Sequence, residues 1–96
     1  MPVTHVKVPV RVRDLIRRLP PVLKRKIRAG LKDILDDPSC GKALKEELEG
    51  YWSLRVGRIR IVYRPVGTDI EIVTIGPRES VYEEVAREIH RDQERR

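Results

Sequence analysis

The chemistry open to this chain starts with arginines set among apolar residues. In Tyr51-Trp52-Ser53-Leu54-Arg55-Val56-Gly57-Arg58-Ile59-Arg60-Ile61-Val62-Tyr63, arginines alternate with apolar side chains on both sides of one glycine. A guanidinium stays charged and forks onto paired oxygens, so it suits phosphate and is a poor general base. Like charges directly opposite each other in a sheet repel. A chain that keeps Arg55 and Arg60 side by side is best explained by an anionic ligand, and the commonest polyanion is nucleic acid.

Alternation at period two predicts a β-strand with two unlike faces, and the central glycine predicts a hairpin turn. With Gly57-Arg58 as a two-residue turn, Val56 faces Ile59 and Arg55 faces Arg60. Leu54, Val56, Ile59 and Ile61 then share one face, and Arg55 and Arg60 share the other. A second turn at Gly67-Thr68 extends the hairpin into a three-strand meander, about 51–56, 59–65 and 69–75. That register sets Arg64 opposite Glu71, a favourable pair, and Arg60 opposite Ile75. Trp52 and Tyr63 are expected in the core.

Upstream, Val6, Val8 and Val10 alternate with Lys7, Pro9 and Arg11, which predicts a short first strand over Thr4–Val8. Pro9 suits the first turn of a short helix that buries Leu15, Ile16 and Leu19. Pro20-Pro21 ends that helix and opens the next. From Val22 to Asp36, Leu23, Ile27, Leu31, Ile34 and Leu35 recur at helical spacing, with Lys24, Arg25, Arg28 and Lys32 largely off the stripe. Asp37-Pro38 stops the helix. The two helices read as a hairpin. Ser39 to Gly50 is a polar connection with room for one helical turn. Beyond Gly76-Pro77, Ser80 and Glu83 form a capping-box pattern. Val81, Tyr82, Val85, Ala86 and Ile89 make the apolar stripe of a C-terminal helix, with a frayed tail over 91–96.

Ninety-six residues with a net charge of +6 set the frame: one domain over 1–96, strongly basic. The charge is uneven. Residues 11–32 carry nine Lys/Arg against one Asp, whereas 33–49 carry six acidic residues against two basic ones. Such a basic segment suits an acidic or phosphate-rich partner, although most charge runs are simply solvated faces. Cys40 is the sole cysteine, so no intrachain disulfide can form. His5 and His90 are isolated, and no metal-ligand spacing occurs. No apolar run is long enough to span a membrane, and no signal-peptide pattern opens the chain. The expectation is a soluble, cytoplasmic protein. Asparagine is absent and glutamine occurs once, while Glu, Lys and Arg abound, a composition that leans towards a thermophile.

The order strand–helix–helix–three strands–helix, carried by these residues, resembles the RelE/ParE superfamily of toxins from type II toxin–antitoxin systems. Leu44 through Gly57 looks like the stretch that leads into the family's second strand. Arg58-Ile59-Arg60-Ile61-Val62-Tyr63 looks like its third strand, and Ile75-Gly76-Pro77-Arg78-Glu79-Ser80-Val81-Tyr82 like its closing segment. The likeness runs over about residues 6–90. It implies an α+β fold, β-α-α-β-β-β-α, with a small, mainly antiparallel sheet and the helical hairpin packed on one face. RelE-branch toxins are metal-independent endoribonucleases that cut messenger RNA in the ribosome; ParE-branch toxins act on DNA gyrase. The resemblance favours the RelE branch, with no cofactor and an acidic antitoxin, partly disordered alone, as partner. A heterotetramer with that antitoxin is one assembly it allows.

Residue by residue, the RelE pattern carries its two active arginines and its tyrosine onto Arg60, Arg78 and Tyr82. Its second-strand lysines have no counterpart, because Trp52, Ser53 and Leu54 stand there. Arg55 and Arg58 are further candidates for RNA phosphate, with Lys42 and Lys45 in the connection before the meander. Lys24, Arg25 and Arg28 either contact ribosomal RNA or merely solubilise their helix. A proton acceptor for the 2′-hydroxyl would have to be Lys42, Lys45, Glu46 or Glu47, or be dispensed with on the ribosome. By pattern alone Tyr82 is a core residue. Gyrase inhibition and a catalytically degenerate, antitoxin-binding module are the rival readings.

Overall fold

Prolines fix where both early helices begin. Pro9 and Pro20 are extended, with ψ of 154° and 152°, and stand immediately before α1 (Val10–Arg17) and α2 (Pro21–Asp36). Pro21 takes the first helical position, where a missing N–H loses no bond. Pro9 therefore precedes its helix rather than sitting in the first turn. The computed structural model describes residues 5–94, apart from the side chains of Arg78, Glu79, Glu88 and 91–94. The remaining elements are β1 (His5–Lys7), β2 (Lys42–Ala43), β3 (Trp52–Val56), β4 (Ile59–Val66), β5 (Asp69–Pro77) and α3 (Arg78–Glu94). Thr4, the expected start of the first strand, lies outside the described residues, as do 95 and 96 of the expected tail; helix α3 itself continues to Glu94.

The strands form one sheet in the order β1-β5-β4-β3-β2. Strand β1 runs parallel to β5, and the other pairs are antiparallel. The architecture is the expected α+β fold with one strand more. Lys42–Ala43, read from sequence as part of a polar connection, pairs with Ser53 and Trp52 along the far edge. A two-residue strand leaves no period-two signature. The connection also holds two 3₁₀ turns, Pro38–Cys40 and Glu46–Leu48, instead of one helical turn.

The two sheet faces carry separate cores. On one, Ile59, Ile61, Tyr63, Ile70, Ile72 and Ile75 meet Val12 of α1 and Ile27 and Ile34 of α2. Gly30 lets α2 approach: a Cβ there would stand 3.0 Å from Val56 and 3.1 Å from Ile61. On the other, Val62 meets Val81 and Val85 of α3, with Leu44, Leu48, Tyr51, Val73, Tyr82 and Ile89 around them. The hairpin α1–α2 thus covers one face as expected, but α3 covers the opposite face, so the helices do not all share a side. Leu35, placed on the buried stripe of α2, is 38% exposed at the end of its helix.

The parity of β5 explains how α3 reaches that second face. Val62 pairs with Thr74, yet Tyr63 pairs with Ile72, leaving Val73 as an extra, bulged residue. Ile70 and Ile72 point to the hairpin face before the bulge, and Ile75 does so after it. Arg64 opposes Glu71 as expected, but Arg60 opposes Gly76, not Ile75. The one-residue shift comes from the bulge, which alternation cannot reveal. Helix α3 begins directly from β5 at Arg78, so Ser80 is already its third residue. Its hydroxyl donates to the Pro77 carbonyl at 3.3 Å in place of the expected capping box.

Candidate nucleic-acid interface

The β3–β4 hairpin turns at Gly57, whose φ of 62° suits a hairpin turn that begins on glycine. The turn brings Val56 opposite Ile59 and Arg55 opposite Arg60, the register read from sequence. Arg55, Gly57, Arg58 and Arg60 line a pocket of about 160 Å³ at this end of the sheet. Arg55 Nε donates to the Gly57 carbonyl at 3.2 Å, which folds the side chain back over the turn. Arg60 is half-buried, and its Nη1 reaches the hydroxyl of buried Ser53 at 3.5 Å. Among the described residues, none of the three arginines meets a carboxylate. Each guanidinium has five N–H donors, so most of them remain free for a ligand. Three uncompensated cations around one small pocket make a candidate anion site, and a guanidinium's fork geometry suits phosphate.

Other candidates fall around this pocket to different extents. Lys42 sits directly across from Ser53, so strand register puts it on the arginine face. Lys45 precedes the second 3₁₀ turn and is exposed. Glu46 and Glu47 lie within that turn; Glu46 has a strained φ of 58°, and Glu47 lines a separate pocket of about 270 Å³ with Ala86, Ile89 and His90. The backbone of Arg78 follows Pro77, which pairs with Ile59 at the start of β4. Its side chain lies outside the described residues. Tyr82, one turn into α3, is half-buried against the Val62–Val81–Val85 cluster. Lys24, Arg25 and Arg28 belong to α2, on the hairpin side of the sheet, and do not join the arginine pocket. Sequence reading missed Ser53 as the partner of Arg60. Its signal was a lone hydroxyl at an arginine-face position of a strand.

Three networks hold this site in place. Tyr63 is fully buried; its hydroxyl donates to the Pro38 carbonyl at 2.6 Å and accepts from the Gly41 N–H at 3.2 Å, with Trp52 stacked at 6.4 Å between ring centroids. Burial pushes this phenol up to about 12. Burial likewise raises the Cys40 thiol, while the Ser39 hydroxyl and N–H hold the Asp37 carboxyl below its ordinary value. Arg64 binds Glu71 at 3.2 Å and the Tyr51 hydroxyl at 3.2 Å, so it is already engaged. At the bulge, buried Thr74 donates to Glu84 of α3 at 2.5 Å. Arg11 of α1 reaches both Glu84, at 3.7 Å, and the Val73 carbonyl, at 3.4 Å.

A family model for the ParE toxin of type II toxin–antitoxin systems, parDE, matches residues 11–82. Among solved structures, the toxin–antitoxin complex RelBE2 of Mycobacterium tuberculosis is 29% identical with a TM-score of 0.69, over 81% of this chain and 100% of that one. Free E. coli RelE, as a mutant, gives 0.72 at 19% identity over 91% and 98%. The RelE–RelB complex of Pyrococcus horikoshii gives 0.64 at 20% identity over 82% and 98%. No curated protein matches the chain. Among the described residues, no helix is long and apolar enough to cross a membrane.

Proposed function

From the premise that this chain belongs to the ParE toxin family of type II toxin–antitoxin systems, we propose that it stops growth by cutting messenger RNA on the ribosome until an acidic antitoxin captures it. The observation that carries this reading is the pocket of Arg55, Arg58 and Arg60 with no carboxylate among its described neighbours. In the reaction, the 2′-oxygen attacks the adjacent phosphorus and the bond to the 5′-oxygen breaks, leaving a 2′,3′-cyclic phosphate and a 5′-hydroxyl. Charge accumulates on the phosphoryl oxygens in the transition state, and fixed guanidiniums stabilise it there. Arg60, steadied by Ser53, and Arg78 are assigned to that task, with Arg55 and Arg58 holding flanking phosphates. Tyr82 supplies a proton to the leaving oxygen or a ring for a base to stack on. For the 2′-hydroxyl proton we favour Lys42 over Lys45, Glu46 and Glu47, because of its register opposite Ser53.

Gyrase inhibition is the second reading, favoured by the ParE description of the matching family model. One experiment separates the two. The purified chain is incubated with messenger RNA with and without programmed ribosomes, and in parallel with gyrase and relaxed plasmid. Cyclic-phosphate ends that appear with ribosomes support the proposal. Lost supercoiling with intact RNA replaces it with the gyrase reading, and inactivity in both assays points to a degenerate, antitoxin-binding module.

A further inference from the structure

Helix α3 meets the sheet through aliphatic side chains and through one polar bond, and the two constrain it differently. Its first turn lies over Gly76, where a Cβ would stand 3.2 Å from Val81 Cγ2 and 3.7 Å from Ser80 Oγ. Gly76 is the residue paired with Arg60, so this turn sits at the arginine end of the sheet. Val81 and Val85 pack on Val62. Such contacts hold the helix down, but they are non-directional and leave it free to roll about its axis.

Glu84 supplies the direction. Its carboxylate accepts from the hydroxyl of fully buried Thr74 at 2.5 Å, a short charge-assisted bond. Arg11 of α1 approaches the same carboxylate oxygen at 3.7 Å and donates to the Val73 carbonyl at 3.4 Å. It reaches both because β1 covers β5 only from Asp69 to Glu71, which leaves the edge open at the bulge. Arg11 and Glu84 are both partly exposed, so their pairing guides the carboxylate more than it stabilises the fold. Among the described residues, Glu84 makes the one directional tie of α3 beyond its first turn. At about 100° per residue, Glu84 and Tyr82 stand about 200° apart, on opposite flanks of the Val81–Val85 stripe. A roll that lifts Glu84 off Thr74 therefore turns Tyr82 in towards the sheet.

We infer that Glu84 is a positioning residue: its bond to Thr74, guided by Arg11, sets the roll of α3 and with it the place of the Tyr82 ring. The consequence for catalysis rests on the nuclease reading, in which Tyr82 serves the leaving oxygen or a base; the roll itself does not.

The test uses the full chain with ring-labelled tyrosine, the Tyr82 signal being assigned by its loss in Tyr82→Phe. Thr74→Val and Glu84→Ala remove the same bond from opposite ends, and Thr74→Val keeps the side chain's shape, so it tests the bond even where Glu84→Ala frays the helix. Each should shift the Tyr82 ring resonances and leave those of Tyr63, in the hairpin core, in place. Glu84→Gln still accepts from Thr74 and should keep the wild-type Tyr82 signal. On programmed ribosomes the two bond-breaking variants should lower kcat about tenfold with KM within about twofold, the mark of a misplaced group, and Glu84→Gln should stay within about twofold of wild type. In a Tyr82→Ala background, Glu84→Ala should cost kcat nothing further. Tyr82 resonances unmoved by both bond-breaking variants overturn the inference whether or not the chain cuts RNA. So do ring-shifted variants that keep the kcat of an active wild type, a Glu84→Gln loss equal to that of Glu84→Ala, and a Glu84→Ala loss that persists without Tyr82. A wild-type chain that cuts no RNA sinks the nuclease reading alone, and the ring signals still decide the roll.

Discussion

Single side chains divide into those that act and those that hold. In the proposed reaction Arg60 is the one that acts, and under that proposal Arg60→Ala should slow cleavage on programmed ribosomes by on the order of a hundredfold, the effect of losing one charged stabiliser of the transition state. Arg60→Lys keeps charge but not the fork, and should recover only part of that loss. Tyr63 is placed to hold. Its phenol is neutral in the fold and pushed up to about 12, against an ordinary value of 10.0. As pH rises from about 10 to 12 the unfolded chain gives up this proton while the native chain keeps it, so stability falls over that window and is intact below it. Tyr63→Phe should remove this alkaline dependence and cost about 1–3 kcal/mol, because it leaves the Gly41 N–H without its partner and takes the donor from the Pro38 carbonyl. Denaturant titrations at pH 8 and pH 11 measure both effects. The Arg55–Arg60 pairing was legible in the sequence because a two-residue turn fixes register. The role of the Tyr63 hydroxyl was not, since its partners lie 22 and 25 residues upstream in a segment without periodicity.

At the level of elements, α3 is the one whose placement the sequence left open. Its apolar stripe was visible, but a stripe names no face of the sheet. What fixes it is local: Val81 and Val85 against Val62, and the Thr74–Glu84–Arg11 chain at the bulge. Glu84→Ala would leave the buried Thr74 hydroxyl with only a 3.5 Å contact to the Ile75 carbonyl. Amide exchange should then quicken in α3 while α2 keeps its protection, as expected for local opening rather than global unfolding. The helical hairpin was easier to read, since prolines mark both starts and Asp37-Pro38 marks the end. Strand β2 was illegible because two residues cannot alternate.

The whole molecule sets two basic surfaces on opposite sides of one sheet, an arginine pocket at the β3–β4 turn and a groove between the hairpin helices. Their charge was visible as a surplus over 11–32 and 50–78; their separation was not, because it depends on which face each helix covers. Binding of oligouridylate at the pocket should weaken with salt, and Arg58→Ala should lower the log–log slope by about 0.7, the share of one phosphate contact on a single strand. Fluorescence anisotropy of labelled RNA across a salt series, with the wild-type chain and with Arg58→Ala, measures it.

The extra residue at Val73 bears on how such a chain can change over generations. Lengthening or shortening a surface loop by one residue leaves the rest of a fold in place. Removing one residue from this bulge does not: the strand beyond it would turn over, sending Ile75 towards α3 and Thr74 and Gly76 into the hairpin core. Helix α3 would then leave the sheet from the wrong side, carrying residue 78 away from the arginine pocket. Insertions and deletions should therefore be tolerated at the Gly67 turn and purged at Val73, so that a gap in β5 marks a descendant that has lost its site.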